Sequence, residues 1–288
     1  MPQAGSVSEC SLQYTAKTTI AGQAAVVSWH DPAANQNGAE NTRVFMRILV
    51  LSDLHNEFSL YSPPDDVVDL VVLARDIDLQ ARGVVWANKT FDCPVVYRSG
   101  NHELYRGHLD RTLIKMQAAA EPNVHVLENQ VWIHGGMRFL VGTGWTDFSS
   151  TGDIVAASMT CVREMTDFKL IRAGAQYRRL RPADLIAKNH ATRDFLDREL
   201  STPFAGTTIV ITHHCPISEA AGEDEGHVSA AYYNRWHALV EKADLWIFGH
   251  THRAIDVMFG QCRVISNPRG YPNENTGFDP GKIVVITT

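Results

Sequence analysis

The sequence has few cysteines, and no two of them form a closely spaced pair. Its 288 residues include five cysteines, which lack any C-x-x-C spacing and stand at Cys10, Cys93, Cys161, Cys215 and Cys262. An odd number without a regular framework is typical of reduced thiols in the cytoplasm, and it disfavours a disulfide-stabilised secreted domain.

Long hydrophobic runs and an excess of positive charge are also missing. No stretch approaches the roughly 18 apolar residues of a membrane-spanning helix, and the N-terminus lacks the basic and apolar regions of a signal peptide. The formal net charge is −6, which disfavours nucleic acid and membrane surfaces as partners. A small phosphorylated substrate is compatible with this charge, since bound cations can reverse the local field inside a pocket. We therefore expect a cytoplasmic protein without a membrane partner.

Residues 1–45 differ in composition from the rest of the chain. They are rich in Ala, Ser, Thr, Gln and Asn and have no sustained apolar period, whereas an apolar run typical of a buried strand begins at Met46. We expect residues 1–45 to be a disordered or poorly packed extension and residues 46–288 to form the folded domain. A further hypothesis is that Met46 is the biological start.

From Met46 onward, short apolar runs alternate with amphipathic stretches. Uniformly apolar, β-branched runs indicate strands that are buried on both faces. Such strands are predicted at 48–51, 70–74, 95–97, 124–126, 139–141, 208–211, 245–248, 264–265 and 283–286. Helices are predicted at 83–88, 108–120, 182–200 and 230–242. The pattern indicates a single α/β domain with layered sheets.

Five of the predicted strands run directly into residue types that bind metals. In chain order these are Asp53 with His55, Asp76 with Asp78, Asn101 with His102 and Glu103, His213 with His214, and His250 with His252. In open α/β sheets, ligands bind outside the carboxyl ends of the strands. The five groups are therefore expected to converge on one centre.

Each group has a simpler explanation when it is taken alone, such as a capping pair, a solvated turn or a core histidine. Five such groups at five strand ends would be a rare coincidence, which favours a functional site. Carboxylate, imidazole and amide oxygen ligands without thiolates suit Mn, Fe or Zn. One carboxylate can bridge two ions that lie about 3.5–4 Å apart.

The order of these residues resembles the calcineurin-like metallophosphoesterase superfamily over roughly residues 46–288. The matching motifs are Asp53-x-His55, Asp76, Gly100-Asn101-His102-Glu103, His213 and Gly249-His250-x-His252. The tract from Asn267 to Tyr271 is similar to that of small bacterial members. The resemblance implies a four-layer α/β/β/α sandwich of two mixed sheets flanked by helices. It also implies a metal-dependent hydrolase of a phosphate ester, with a diester favoured over a monoester.

The resemblance further implies a role for each matching residue. His102 would be an acid that stabilises the transition state or protonates the leaving oxygen without binding metal. Two Mn, Fe or Zn ions would act through a bridging hydroxide that attacks phosphorus in a small phosphorylated substrate. The ions would be held by Asp53, His55 and His252 on one side and by Asn101, His213 and His250 on the other, with Asp76 bridging.

Arg75 departs from the family pattern, in which glycine precedes the second aspartate. A positive φ at this position would strain a residue with a side chain. Three interpretations are open, because Arg75 could point away from the centre, disturb metal binding, or contact the substrate phosphate. A metal-binding pseudoenzyme or regulatory module impaired by Arg75 is therefore an alternative function. A metal-dependent nuclease is a third, which the acidic net charge disfavours.

The stretch 163–181 is rich in basic residues, with Arg163, Lys169, Arg172, Arg178, Arg179 and Arg181. Arginine suits bidentate contacts with phosphate, so one interpretation is a lid or a substrate-binding insertion. The other is a solvated basic face.

Overall fold

The computed structural model describes residues 45–222 and 226–287. The predicted extension at 1–45 lies outside the described residues, apart from Phe45, which begins the first strand. The strands are β1 Phe45–Leu51, β2 Leu70–Leu73, β3 Val95–Tyr97, β4 Val124–Val126, β5 Gln130–His134, β6 Met137–Val141, β7 Arg172–Ala173, β8 Arg178–Arg179, β9 Thr208–Ile211, β10 Leu245–Phe248, β11 Ile255–Phe259, β12 Cys262–Ser266 and β13 Ile283–Thr287. The α-helices are α1 Arg82–Thr90, α2 Arg111–Ala119, α3 Ile154–Glu164, α4 Asp167–Leu170, α5 Pro182–Leu200 and α6 His237–Val240.

Two mixed sheets contain most of the strands. The first has the order β13-β1-β2-β3-β4, and its strands are parallel except for the antiparallel edge strand β13. The second has the order β11-β12-β10-β9-β6-β5, with a parallel centre and an antiparallel strand at each edge. Strands β7 and β8 form a separate small hairpin.

Alternation along single strands explains why the two sheets pack face to face. In β1, Ile48 and Val50 belong to a core shared with strands of the second sheet, whereas Leu49 and Leu51 face α1 and α2. In β10 the odd positions enter the same shared core, and Trp246 and Phe248 pack beneath α5 and α6 on the opposite face. Each central strand is thus buried on both faces, which gives the predicted helix–sheet–sheet–helix order.

The helix predicted at 230–242 is wrong in its extent. The segment instead contains a short 3-10 helix, Gly226–Ala231, followed by extended chain and the single turn α6. The reason is competition from the loop after β9, because Asn234 N donates to Cys215 O at 2.8 Å and Trp236 N donates to Pro216 O at 2.9 Å. These bonds use backbone donors that a continuous helix would need.

Helix α3 was not predicted, although its start is well capped. The Asp153 side chain accepts a hydrogen bond from Ala156 N at 2.9 Å, which is a standard N-cap contact. The helix buries Ala157 and Cys161, while larger apolar side chains such as Met159 lie outside. Its hydrophobic residues therefore mark the solvent face, and the usual amphipathic pattern is absent.

The described part of the chain contains no helix with both the length and the hydrophobicity required to span a bilayer.

Candidate metal centre

Side chains from five loops meet at the carboxyl ends of the parallel strands. The loops follow β1, β2 and β3 of the first sheet and β9 and β10 of the second. The structure brings the predicted site residues together there, namely Asp53, His55, Asp76, Asn101, His102, His213, His250 and His252. Both sheets therefore contribute to one site.

The first group comprises Asp53, His55 and His252, whose ligand atoms lie within 4.8 Å of one another. The two Nε2 atoms of the histidines are only 3.1 Å apart, and His252 Nε2 is 3.8 Å from Asp53 Oδ1. His55 Nδ1 contacts Glu57 Oε1 at 3.1 Å, and His252 Nδ1 contacts Glu274 Oε2 at 2.6 Å. Because a carboxylate can only accept, Nδ1 is the donor in each ring, so in the neutral rings the two Nε2 lone pairs face each other. A cation bound by both lone pairs would remove this repulsion.

The second group lies around His213. Its Nε2 is 2.7 Å from Asn101 Oδ1 and 3.6 Å from Asp76 Oδ2. Asp76 and His213 also form a cluster with Asp53, so Asp76 lies between the two groups. His213, His214 and His250 form a further cluster. Of the two adjacent histidines, His213, the expected ligand, is the one that contacts Asn101 and Asp76.

Buried atoms without partners support a bound cation. Within residues 45–222 and 226–287, Asp53 Oδ2, His213 Nδ1 and His250 Nε2 are buried and have no hydrogen-bond partner. Burial lowers the pKa of His250 to about 3, so its ring is neutral and keeps a lone pair for a metal. Burial, together with Glu103 and Asp53, raises the pKa of Asp76 well above its usual value. A cation would stabilise its charged form.

Two glycines permit the close approach of these loops. A Cβ atom on Gly249 would lie 2.5 Å from Asp53 Oδ2, and one on Gly100 would collide with Asp76 Oδ1. Any larger residue would therefore displace an aspartate of the centre. This explains why glycine precedes Asn101 and His250 in the two motifs.

The site loops also contain strained backbone. Six residues with side chains adopt positive φ there, between 44° and 99°: Asp53, His55, Arg75, Asp76, His250 and His252. Such conformations cost about 1–3 kcal/mol each and persist where the surrounding fold imposes them. These backbone conformations direct the side chains inward at the strand ends.

Arg75 points away from this centre. It has φ of 99°, and its side chain is 0% exposed. The guanidinium donates to Gly142 O at 2.8 Å and to Thr143 O at 3.1 Å, immediately after β6. It therefore links the two sheets and does not reach a substrate, so the interpretation that it contacts phosphate is wrong.

Replacing Arg75 by glycine should leave metal affinity unchanged within about twofold and lower the stability of the fold. Glycine relieves about 1–3 kcal/mol of backbone strain, but the lost hydrogen bonds and the cavity outweigh this gain, for a net loss of about 2 kcal/mol. Metal titration and urea unfolding measure the two effects separately. A tenfold gain in metal affinity would show instead that Arg75 disturbs the centre.

His102 lies beside the two groups of proposed ligands. It belongs to no candidate metal cluster that contains an aspartate. Its backbone N donates to Asp76 Oδ1 at 2.9 Å. Its ring nitrogens have separate partners, with Nδ1 at 2.8 Å from Glu57 Oε1 and Nε2 at 3.0 Å from the Tyr271 hydroxyl. Burial opposes ionisation of Glu57, but the hydrogen bonds from His102 and His55 outweigh it and lower the pKa of Glu57 to about 2.

Glu103 and Asp78, which are not among the expected ligands, have structural partners. Glu103 is fully buried and accepts from Ile77 N at 2.9 Å and from Gly100 N at 2.7 Å. It thus fastens the loop that bears Asp76 to the loop that bears Asn101. Asp78 accepts from Arg82 Nε at 2.8 Å, in the first turn of α1.

Several residues that contact the centre were not predicted from the sequence. They are Glu57, Tyr105, Asp167, Tyr271 and Glu274. Glu57 follows His55 by two positions, so extending the Asp53-x-His55 pattern by one step would have found it. Asp167 and Glu274 could not be found in this way, because only the folded chain brings them to their partners.

Asp167 fixes the orientation of Asn101. Its Oδ1 accepts from Asn101 Nδ2 at 2.9 Å and from the Tyr105 hydroxyl at 2.8 Å. With the amide nitrogen held in this way, Asn101 Oδ1 must face His213. Asp167 belongs to α4 and is 3% exposed. A residue of the segment between β6 and α5 therefore holds a proposed ligand in place without being a ligand itself.

Replacing Asp167 by alanine should weaken metal binding by about 10- to 100-fold, the usual effect of removing a residue that orients a ligand. Competition against a chromophoric chelator measures this affinity. Asp147→Ala is the matched control, because within the described part of the chain the Asp147 carboxylate bonds to its own loop alone, to Ser149 N at 2.9 Å and to the Ser149 hydroxyl at 2.6 Å. Equal affinities for the two variants would contradict the orienting role.

A cavity of about 550 Å³ opens over the centre. Its wall includes Asp76, His102, His250 and His252 and, from the end of α3 and the residues that follow it, Glu164, Met165 and Thr166. The predicted basic segment thus lines the cavity, but its arginines do not. Arg178 pairs with Asp184 at 2.7 Å, and Arg163 pairs with Glu164 at 2.6 Å.

Residues 46–254 match the calcineurin-like phosphoesterase family, and the chain belongs to this family. With the clustered histidines and aspartates, membership defines a metal-dependent phosphoesterase.

Two similar proteins extend this comparison. The chain is 22% identical over 272 residues to the "Uncharacterized protein L509" of Acanthamoeba polyphaga mimivirus, a match that covers 82% of this chain and 95% of that protein. It is also similar in structure to the Phosphopantetheinyl Hydrolase (PptH) from Mycobacterium tuberculosis. The TM-score is 0.58 at 18% identity, over 78% of this chain and 89% of that one. At this identity the likeness shows a shared fold, and the predicted α/β architecture is confirmed.

Proposed function

We propose that the chain hydrolyses phosphate esters with two bound metal ions and prefers diesters to monoesters. The observation that carries the proposal is the 3.1 Å approach of His55 Nε2 and His252 Nε2. Each ring has its other nitrogen on a carboxylate, an arrangement that is common for histidines that ligate metals. The proposed ligands are Asp53, His55 and His252 for one ion, Asn101, His213 and His250 for the other, and Asp76 for both.

The donor set favours Mn, Fe or Zn. Four imidazoles, two carboxylates and one amide oxygen make up the proposed ligand set, and no thiolate belongs to the clusters of the described residues. Such N/O sites suit these metals, whereas thiolates select a structural zinc site. When bound, the ions would polarise the phosphoryl group and activate water for attack on phosphorus.

His102 is placed to act on the leaving group. Its Nδ1 is held by Glu57, so its Nε2 is directed toward the Tyr271 hydroxyl at the cavity wall. When the ring is protonated, its Nε2–H is a donor fixed in this direction and can give a proton to the departing oxygen. The His102 side chain is 9% exposed, and its backbone N donates to Asp76. It therefore has the fixed position that proton transfer requires.

The charges of the cavity wall support a diester preference. A diester carries about one negative charge and a monoester near neutral pH close to two. Among the described residues that line the cavity, Arg253 is the one arginine or lysine, and it is opposed by Glu164 and Glu274. The wall thus offers little positive charge beyond the metal centre. The less charged ester is favoured on electrostatic grounds.

The proposal is tested with metal-stripped protein to which Mn, Fe, Zn or Mg is restored separately. Aryl phosphate monoesters and diesters with the same leaving group are then compared. We expect two ions per chain, turnover that depends on the metal, and a higher kcat/KM for the diester. A phosphopantetheinyl ester is a further substrate to include, because the structurally similar Mycobacterium protein is named a phosphopantetheinyl hydrolase.

Two outcomes would overturn the proposal. Tight binding of two ions without turnover of any ester would favour a metal-binding module. Turnover limited to DNA or RNA, with an affinity that falls steeply with salt, would favour the nuclease alternative.

A further inference from the structure

The Glu57 carboxylate contacts two histidines with different proposed roles, the metal ligand His55 and the acid His102. A single oxygen, Oε1, is 2.8 Å from His102 Nδ1 and 3.1 Å from His55 Nδ1. The carboxyl side chain is 7% exposed, and its partners hold it at the floor of the site. No charged side chain other than these histidines bonds to it among the described residues.

This contact determines which nitrogen of each ring carries a proton. Carboxylate Oε1 accepts hydrogen bonds, so Nδ1 is the donor in both rings. The Nε2 of His55 then faces His252, at 3.1 Å, and the Nε2 of His102 faces the Tyr271 hydroxyl, at 3.0 Å. One oxygen therefore directs one ring toward the proposed metal and the other toward the cavity.

We propose that Glu57 is a positioning residue for the hydrolytic step, which holds His102 Nδ1 as its hydrogen-bond donor and so aims Nε2 at the cavity, where the protonated ring gives its Nε2 proton to the leaving oxygen. The inference rests on the proposed function, since it assigns a support to the acid of that reaction. It goes beyond metal binding, because a residue that served only His55 would not need its shorter hydrogen bond to His102.

The step that Glu57 supports is a simple proton transfer. Water supplies the oxygen that bonds to phosphorus, and the ester P–O bond breaks with its electron pair going to the leaving oxygen. That oxygen takes the Nε2 proton of protonated His102. The proton lost by the water goes to solvent, from which His102 is protonated again. Glu57 keeps its own position throughout and exchanges no proton with the substrate.

The chain contains a matched comparator for Glu57. Glu274 accepts from His252 Nδ1 at 2.6 Å, so it supports a proposed ligand in the same way as Glu57 supports His55. It also accepts a hydrogen bond from Tyr271 N at 2.8 Å, and no hydrogen bond joins it to His102 in the described residues. Replacing either glutamate would therefore remove the support of a proposed ligand. Only the replacement of Glu57 would also remove the alignment of His102.

The test compares Glu57→Gln, Glu57→Asp and Glu274→Gln on phosphodiesters whose leaving groups range from p-nitrophenol to simple alcohols, at saturating metal. Proton donation matters most when the leaving group is poor. For Glu57→Gln we expect turnover of alkyl esters to fall about 100-fold and that of p-nitrophenyl esters less than about 5-fold. Glu274→Gln should lower metal affinity without any dependence on the leaving group. In a His102→Ala background, Glu57→Gln should cause little further loss.

Three results would overturn the inference. One is an equal loss across all leaving groups in Glu57→Gln, and another is full additivity with His102→Ala. The third is a drop in the number of bound ions, because His55, Glu57 and His102 could themselves hold a cation, and Glu57 would then be a ligand.

A second readout does not depend on turnover. Nitrogen NMR of the metal-free protein reports whether His102 carries its proton on Nδ1, and this signature should be lost or shifted in Glu57→Gln but not in Glu274→Gln. If wild-type protein hydrolyses no ester, the proposed function fails while the NMR comparison still decides the alignment by Glu57. An unchanged His102 tautomer in Glu57→Gln would refute the alignment directly.

Discussion

Replacing Asp76 by alanine should reduce the bound metal from two ions to one per chain and lower turnover by about 10³-fold, the upper range for loss of one transition-state stabiliser. Asp76 is the carboxylate that lies between the two groups, within 4.8 Å of ligand atoms of Asp53 and His213. It is 1% exposed, so no solvent-exposed carboxylate can replace it. Elemental analysis of the dialysed protein and kcat for an aryl diester measure the two effects.

Asp78→Ala is the matched control for this variant. Asp78 lies two positions further along the same loop, but its carboxylate is bonded to Arg82 and to Leu79 N. Its removal should cost some stability at the start of α1 and leave metal content and turnover unchanged. Retention of two ions by Asp76→Ala would show that the bridging assignment is incorrect.

Replacing His102 by alanine should lower turnover by about 10²- to 10⁴-fold, the usual contribution of a positioned acid or base, while both metal ions stay bound. The reason is that its ring contacts Glu57 and Tyr271 and contributes no nitrogen to the two proposed ligand sets. Both His102→Ala and Asp76→Ala should turn over slowly, but the number of bound metal ions distinguishes them. His102→Ala should keep two ions per chain and Asp76→Ala one.

A surface histidine provides the control for His102→Ala. His237 lies on α6 and contacts Glu219 Oε2 at 3.0 Å, and neither residue lines the cavity over the centre. His237→Ala should leave kcat unaltered. If His102→Ala lost metal as well as activity, the histidine would be acting as a ligand, and the assignment of a separate acid would fail.

The central strands were predictable because burial on both faces allows only one sequence pattern, a continuous run of apolar residues. Segments such as 245–248 are buried on both faces, which requires continuous apolar residues whichever sheet they join. The edge strands β5 and β11 lacked this signal, since Ile133 and Met258 point to solvent. The helix predicted at 230–242 failed for another reason, namely backbone bonds to a loop that is distant in sequence.

The site was predictable to the extent that its residues follow strands. The sequence places Asp53, Asn101 and His250 in local motifs, and the fold brings the strand ends together. Residues that orient these side chains obey no such rule, because Asp167 is 66 positions from Asn101 and Tyr271 is 169 from His102. Only tertiary packing determines such pairs. The proposed extension at 1–45 stays a prediction.

The division of the centre between two sheets has a consequence for the order of folding. His55 and His252 are 197 positions apart in the chain, and neither sheet alone contains a complete set of proposed ligands. Closing such a long loop is slow and costs entropy, so the contact must form after both sheets have folded. Metal bound across them would then act as a late cross-link. It would slow unfolding and would have little effect on the rate of folding.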